Sequence, residues 1–150
     1  MWDRKKIKEK VISSSDKYGF NNKQQESQLL RILVGCKAQE VYEGLIAIFM
    51  EEHENSPIRQ EFAGRLLYQI NPEAEFDIKN ELKKCLPYFD RSVEHMPFYF
   101  VKQCGIAEVM RVVETYQKHN LSDRENESLR TIKFWLNNYE GWIERTGGSI

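Results

Sequence analysis

Three histidines, His53, His95 and His119, are the residues best suited to metal binding or acid–base chemistry, and they lie far apart in the chain. Neither His-Glu-x-x-His nor Glu-x-x-His occurs, which counts against zinc-protease and di-iron sites. The glycine-rich loops that cradle phosphate groups are missing as well. A catalytic set that assembles only in space leaves no pattern in one sequence. We therefore predict no metal, no cofactor and no enzymatic activity.

An acidic stretch runs from residue 40 to residue 54 and contains no lysine or arginine. Neighbouring residues on a helix point apart, so consecutive carboxylates do not converge on one metal ion. A solvated helix end is the simplest interpretation. The alternative is a surface for a basic partner, and its candidate residues are Glu51, Glu52 and Glu54.

The N-terminal stretch from Arg4 to Lys10 is basic, but Asp3 and Glu9 interrupt it and no series of aromatic residues accompanies it. An exposed helix face or arm is the favoured interpretation, and phosphate contact is the minor alternative. The whole chain carries 22 Lys and Arg against 23 Asp and Glu. Such a balance gives no overall field for nucleic acid or an anionic membrane, so we expect neither as a partner.

Aromatic residues concentrate around Pro87 and Pro97, in two short segments at 88–89 and 98–100. The favoured interpretation is that Phe89, Phe98 and Phe100 fill the core between two helical hairpins. One short helix cannot bury all of these aromatic residues on a single stripe, so the alternative is that some are exposed, where aromatic and arginine side chains anchor interfaces. The partner-binding candidates from this segment are Tyr88, Arg91 and Tyr99.

Apolar residues recur at helical spacing along most of the chain, and the clearest stripes are 38–49, 106–116 and 129–143. Ser122 and Glu125 form a capping box, which marks a helix start. A short helix is predicted to end before the serines at 13–15, and another to begin at Pro97 after a turn at 93–96. Strand and hairpin signals are absent. The sequence thus predicts an all-α fold of antiparallel helical hairpins, arranged as a short α-solenoid or a compact multi-helix bundle.

The length of 150 residues predicts a single domain, residues 1–150, with a helix in 1–15 that can be peripheral and a flexible tail at 146–150. Three separated cysteines without a CxxC pair indicate reduced thiols rather than disulfides. No apolar run near the N-terminus suggests a signal peptide, so we expect a cytoplasmic protein. Trp135 and Trp142 share a helical face, either to seal the end of the helical stack or to form a homodimer.

The run Ser92-Val93-Glu94-His95-Met96-Pro97-Phe98-Tyr99-Phe100, followed by Gly105-Ile106-Ala107-Glu108-Val109, resembles HEAT-like and armadillo-like helical repeats. The resemblance covers residues 56 to 143 and lies in apolar spacing, without the repeated proline, Asp and basic residue of a HEAT unit. It implies a scaffold that binds macromolecules along a concave face.

These patterns favour a non-catalytic protein–protein interaction module, of the adaptor, regulator or toxin-neutralising kind, that is a monomer or a homodimer. Two alternatives remain: an enzyme with its site in a groove between hairpins, and a helical-repeat nucleic-acid binder. A buried polar cluster with shifted titration would favour the enzyme, and a groove rimmed by aromatic residues would favour the binding module.

Overall fold

The computed structural model describes residues 1–90 and 92–149. Within these residues there are nine α-helices and one 3-10 helix and no strand, which confirms the predicted all-α fold. The elements are α1 (Arg4–Tyr18), α2 (Lys23–Leu33), α3 (Ala38–Ile46), a 3-10 helix (Ala47–Met50), α4 (Ser56–Ile70), α5 (Ile78–Cys85), α6 (His95–Cys104), α7 (Ile106–Tyr116), α8 (Asp123–Asn137) and α9 (Tyr139–Thr146).

Helix α4 lies at the centre of the molecule and contacts α1, α2, α3 and α6. Its residues Phe62, Leu66 and Leu67 are fully buried, so most of its circumference faces other helices. In a linear solenoid each repeat contacts only its neighbours. Contacts from one helix to four others, two of them near the N-terminus, are more typical of the compact bundle than of a linear stack.

Helix α1 continues through the serines at which it was predicted to end, and it is part of the core. Ile7 and Val11 are fully buried, and α1 packs against α3 and α4. Ser15 is also buried and its hydroxyl donates a 3.0 Å hydrogen bond to the carbonyl of Ile12. Serine lowers helix propensity only slightly, so tertiary packing carries the helix on to Tyr18.

Helix α6 begins at His95, two residues earlier than the proline at position 97 predicts. Pro97 is the third residue of this helix, where its missing amide proton has no intrahelical acceptor. The first helical hydrogen bond runs from the Phe98 amide to the Glu94 carbonyl, at 3.1 Å. Proline is therefore tolerated there, and the predicted turn at 93–96 is shorter than expected.

The C-terminal region holds two helices instead of one continuous stripe. The capping box is present, with the Glu125 amide donating to Ser122 Oγ and the Ser122 amide donating to Glu125 Oε1, both at 3.1 Å. The chain leaves helical geometry at Asn138, and α9 then places Trp142 against Phe98 and Tyr68 in a second, smaller core. In the described residues, no helix is both long and apolar enough to cross a membrane.

Candidate functional site

Of the predicted partner-binding residues from the aromatic segment, the structure places Tyr99 in the core and Tyr88 partly at the surface. Tyr99 is fully buried, and its hydroxyl donates a 2.8 Å hydrogen bond to the Pro72 carbonyl. Tyr99 thus belongs to the core, as Phe89, Phe98 and Phe100 do, and is not accessible to a partner in the folded chain. Tyr88 is half-buried, and Arg91 lies outside the described residues.

The acidic stretch is at the surface but is partly neutralised by its neighbours. Glu51 forms a 2.7 Å ion pair with Lys8 of α1. The pKa of Arg59 is raised, mainly by its hydrogen bond to Asp16 and further by the nearby charges of Glu51 and Glu54. Glu52 and Glu54 are exposed. The three glutamates do not present an isolated negative surface, which weakens the case for a basic partner here.

A polar cluster that the sequence did not predict lies where α4 meets the start of α6. Glu61 lies on α4, Glu94 is the residue before α6, and His95 is the first residue of α6. His95 Nδ1 is 4.0 Å from Glu61 Oε1, and His95 Nε2 is 3.7 Å from Glu94 Oε1. Gly64 permits this approach, because a Cβ there would lie 3.1 Å from Val93 Cγ1 and 3.4 Å from His95 Cβ.

The His95 ring is buried among aromatic side chains. Only 3% of the residue is exposed, and its ring lies 5.9 Å from that of Tyr68 and 6.0 Å from that of Trp142. Burial, with the charge of Arg65 as a second cause, lowers the pKa of His95 to about 4. The imidazole is therefore neutral at pH 7, and one of its nitrogens has a lone pair available.

The pKa of Glu61 is shifted in the opposite direction to that of His95. Burial, followed by the charges of Glu94 and Asp90, raises the pKa of Glu61 to about 7, although Arg65 acts against the shift. Arg65 is itself paired with the buried carboxylate of Glu26 on α2, at 3.7 Å. Near neutral pH the cluster thus combines a neutral imidazole with a carboxyl group that gains or loses a proton easily, a combination suited to proton transfer or to cation binding.

A second candidate site is an open groove of about 360 Å³ that is formed by the N-terminal segment, α1 and α2. Trp2, Tyr18 and Ile32 line it, and Tyr18 and Ile32 are 43% and 42% exposed. Lys10 and Lys17 line it as well, with their ammonium groups 5.9 Å from the Trp2 ring and 5.1 Å from the Tyr18 ring. The groove therefore offers apolar surface together with positive charge.

Comparison with protein-family models, with curated proteins and with solved structures found no match to this chain. The resemblance to HEAT-like and armadillo-like repeats consequently stays a prediction.

Proposed function

We propose that this chain is a non-catalytic protein-binding module, which fits a small adaptor, a regulator or a toxin-neutralising protein. The observation that carries the proposal is the uneven distribution of exposed apolar side chains. Eight large hydrophobic residues of the described chain are exposed, and five of them come from its first 34 residues. Two of the five, Tyr18 and Ile32, line one groove, and contiguous exposed apolar surface commonly marks a site of protein association. These five residues are Met1, Tyr18, Phe20, Ile32 and Val34.

The chemistry of the groove selects an acidic amphipathic segment of another protein as its occupant. Trp2, Tyr18 and Ile32 would contact the apolar face of such a segment, in the way that amphipathic helices lie in hydrophobic grooves. Lys10 and Lys17 would then face its carboxylates, and opposite charges at an interface favour association and orientation. The predicted acidic surface at 51–54 is less suitable, because Lys8 already neutralises Glu51.

A photo-crosslinking amino acid at position 32 tests this proposal in cells of the native host. We expect covalent adducts with one protein partner, joined through an acidic segment of that partner. Reversing Lys10 and Lys17 to Glu should abolish the adducts, because the groove would then repel the same carboxylates. Both lysines are exposed, so the melting temperature of the variant should remain close to that of the parent chain.

Phe134 on α8 provides the matched control, since it is a large exposed hydrophobic residue outside the groove. The same crosslinker at position 134 should give no adduct with that partner. Equal adducts at positions 32 and 134 would contradict the proposal, as would adducts that persist after charge reversal. Adducts with nucleic acid would favour the nucleic-acid binder, and adducts between two copies of the chain would favour the homodimer.

An enzyme is the second candidate function, because the structure contains the buried polar cluster that would favour one. Glu61 and His95 have pKa values shifted in opposite directions, which is a common property of acid–base pairs. The groove lined by Trp2 and Tyr18 favours the binding module. Hydrolysis of nitrophenyl esters or phosphates that disappears in a His95→Gln variant would support the enzyme.

A further inference from the structure

Glu61, Glu94 and His95 each contribute one ligand atom to a cluster in which all three atoms lie within 4.8 Å of one another. We infer that these residues form a binding site for a single divalent transition metal ion of the Zn²⁺ class. The inference is independent of the proposed protein-binding role, because none of the three residues lines the groove between α1 and α2.

The state of His95 is the observation that points to a ligand. The residue is 3% exposed, and its Nδ1 atom is buried without a hydrogen-bond partner among the described residues. The 4.0 Å separation between Nδ1 and Glu61 Oε1 is too long for a hydrogen bond. Buried polar atoms in native proteins nearly always have a partner. A metal ion between His95 Nδ1 and Glu61 would provide the partner that Nδ1 lacks.

The three side chains must move closer together to coordinate one metal ion. Zinc binds imidazole nitrogen and carboxylate oxygen at about 2.0–2.2 Å, so two ligand atoms on one tetrahedral ion lie roughly 3.4 Å apart. One imidazole gives one nitrogen to an ion, and with one ligand atom from each residue the three atoms lie within 4.8 Å of one another. The Nδ1 atom of His95 is 4.0 Å from Glu61 Oε1, whereas Glu94 Oε1 lies 3.7 Å from the other ring nitrogen, Nε2, so Glu94 has to turn toward the ion. The side chains of Glu61 and Glu94 are 18% and 19% exposed, which leaves an approach from solvent and room to move.

The ligand set also selects the kind of ion. One imidazole with two carboxylates suits Zn²⁺ and its first-row neighbours better than Ca²⁺ or Mg²⁺, which prefer oxygen ligands alone. Three protein ligands leave a coordination position for water or a further ligand. Arg65 is the nearby group that opposes a cation, but its guanidinium pairs with Glu26, whose carboxylate also accepts a 2.6 Å hydrogen bond from Gln69.

Calorimetric titration of the chelator-treated full chain with ZnCl₂ tests this site. We expect one Zn²⁺ ion per chain, and a loss of affinity of about tenfold or more in Glu61→Gln and Glu94→Gln variants. Glu94 is the safer position to change, since its side chain makes no capping hydrogen bond to α6. Circular dichroism of each variant confirms that the helices are retained.

Two controls separate this site from other metal ligands in the chain. His53 lies among acidic residues and is therefore a competing candidate ligand. It is not part of the proposed site, so a His53→Gln variant should keep the parent affinity. Cys36 and Cys104 are half-buried free thiols and are therefore competing candidate ligands. The proposed site contains no cysteine, so its Co²⁺ complex should lack a thiolate-to-cobalt charge-transfer band. The inference is overturned if Zn²⁺ does not bind saturably, if binding survives both glutamate substitutions, or if it depends on His53 or a thiolate.

Discussion

Gly44 on α3 lies directly beneath α1, and replacing it with alanine should destabilise the fold. A Cβ atom at this position would be 2.8 Å from Ile7 Cγ2 and 2.9 Å from the Arg4 carbonyl oxygen. Optimal carbon contacts begin at about 3.5 Å, so the two helices would have to separate by roughly 0.7 Å. Because one obstacle is backbone, rotation of a side chain cannot relieve the overlap.

Two opposing effects determine the size of the change. Overpacking a buried contact costs about 1–3 kcal/mol. Alanine in a helix interior is favoured over glycine by about 0.5–1 kcal/mol. We therefore expect Gly44→Ala to lower the free energy of unfolding by about 1 kcal/mol, measured by urea unfolding followed by circular dichroism. In a chain of this size each kcal/mol corresponds to about 2–4 °C in melting temperature.

Gly141 on α9 provides the control with the opposite sign. An added Cβ there would meet only the end of the flexible Arg145 side chain, at 3.4 Å. Gly141→Ala should thus stabilise the protein by about 0.5–1 kcal/mol through helix propensity. If Gly44→Ala were as stable as the parent chain, α1 would not rest on α3 as described.

Two further predictions concern Glu61 and Ser122. The pKa of Glu61 is raised to about 7 by burial and by Glu94 and Asp90, so the stability that its protonated form provides is lost as the pH rises through 7. Glu61→Gln should therefore increase the free energy of unfolding at pH 8 by up to about 3 kcal/mol and leave it little changed at pH 4, in chelator-treated samples. Equal effects at both pH values would show that the pKa of Glu61 is not raised in the folded chain. Ser122→Ala removes the cap of α8 and should cost about 1 kcal/mol in urea unfolding, whereas an unchanged midpoint would mean that the capping box contributes nothing.

The helices that the sequence predicted well are those with local signals. Ser122 and Glu125 are close in sequence, and the capping box that they form depends only on neighbouring backbone amides. The length of α1 and the start of α6 were less predictable, because packing against other helices determines them. Ser15 stays helical in a buried contact, and Pro97 is accepted within the first turn of α6. A single sequence does not show which residues these contacts will cover.

The candidate metal site could not be predicted from the sequence, because it also depends on contacts between helices. Glu61 and His95 belong to different helices, and they meet because Gly64 lets the backbone of α4 approach the start of α6. No motif spacing records such a contact. Tyr99 is a second example. An aromatic residue in this segment was a candidate for an interface, but its position on α6 places it in the core, where its hydroxyl donates a hydrogen bond to the Pro72 carbonyl.

The buried polar atoms without a hydrogen-bond partner bear on the proposed metal site at His95. Among the described residues four buried side-chain atoms lack a hydrogen-bond partner, and two of them, Arg65 Nε and His95 Nδ1, belong to neighbouring groups at the contact of α4 and α6. The other two are Ser128 Oγ and the hydroxyl of Tyr116, which lies close to the Lys83 backbone, and they belong to separate helices. Each such atom is costly, since burial removes water without providing a partner. A metal ion at the proposed site would provide the partner that His95 Nδ1 lacks, and it would leave the Tyr116 and Ser128 atoms unchanged.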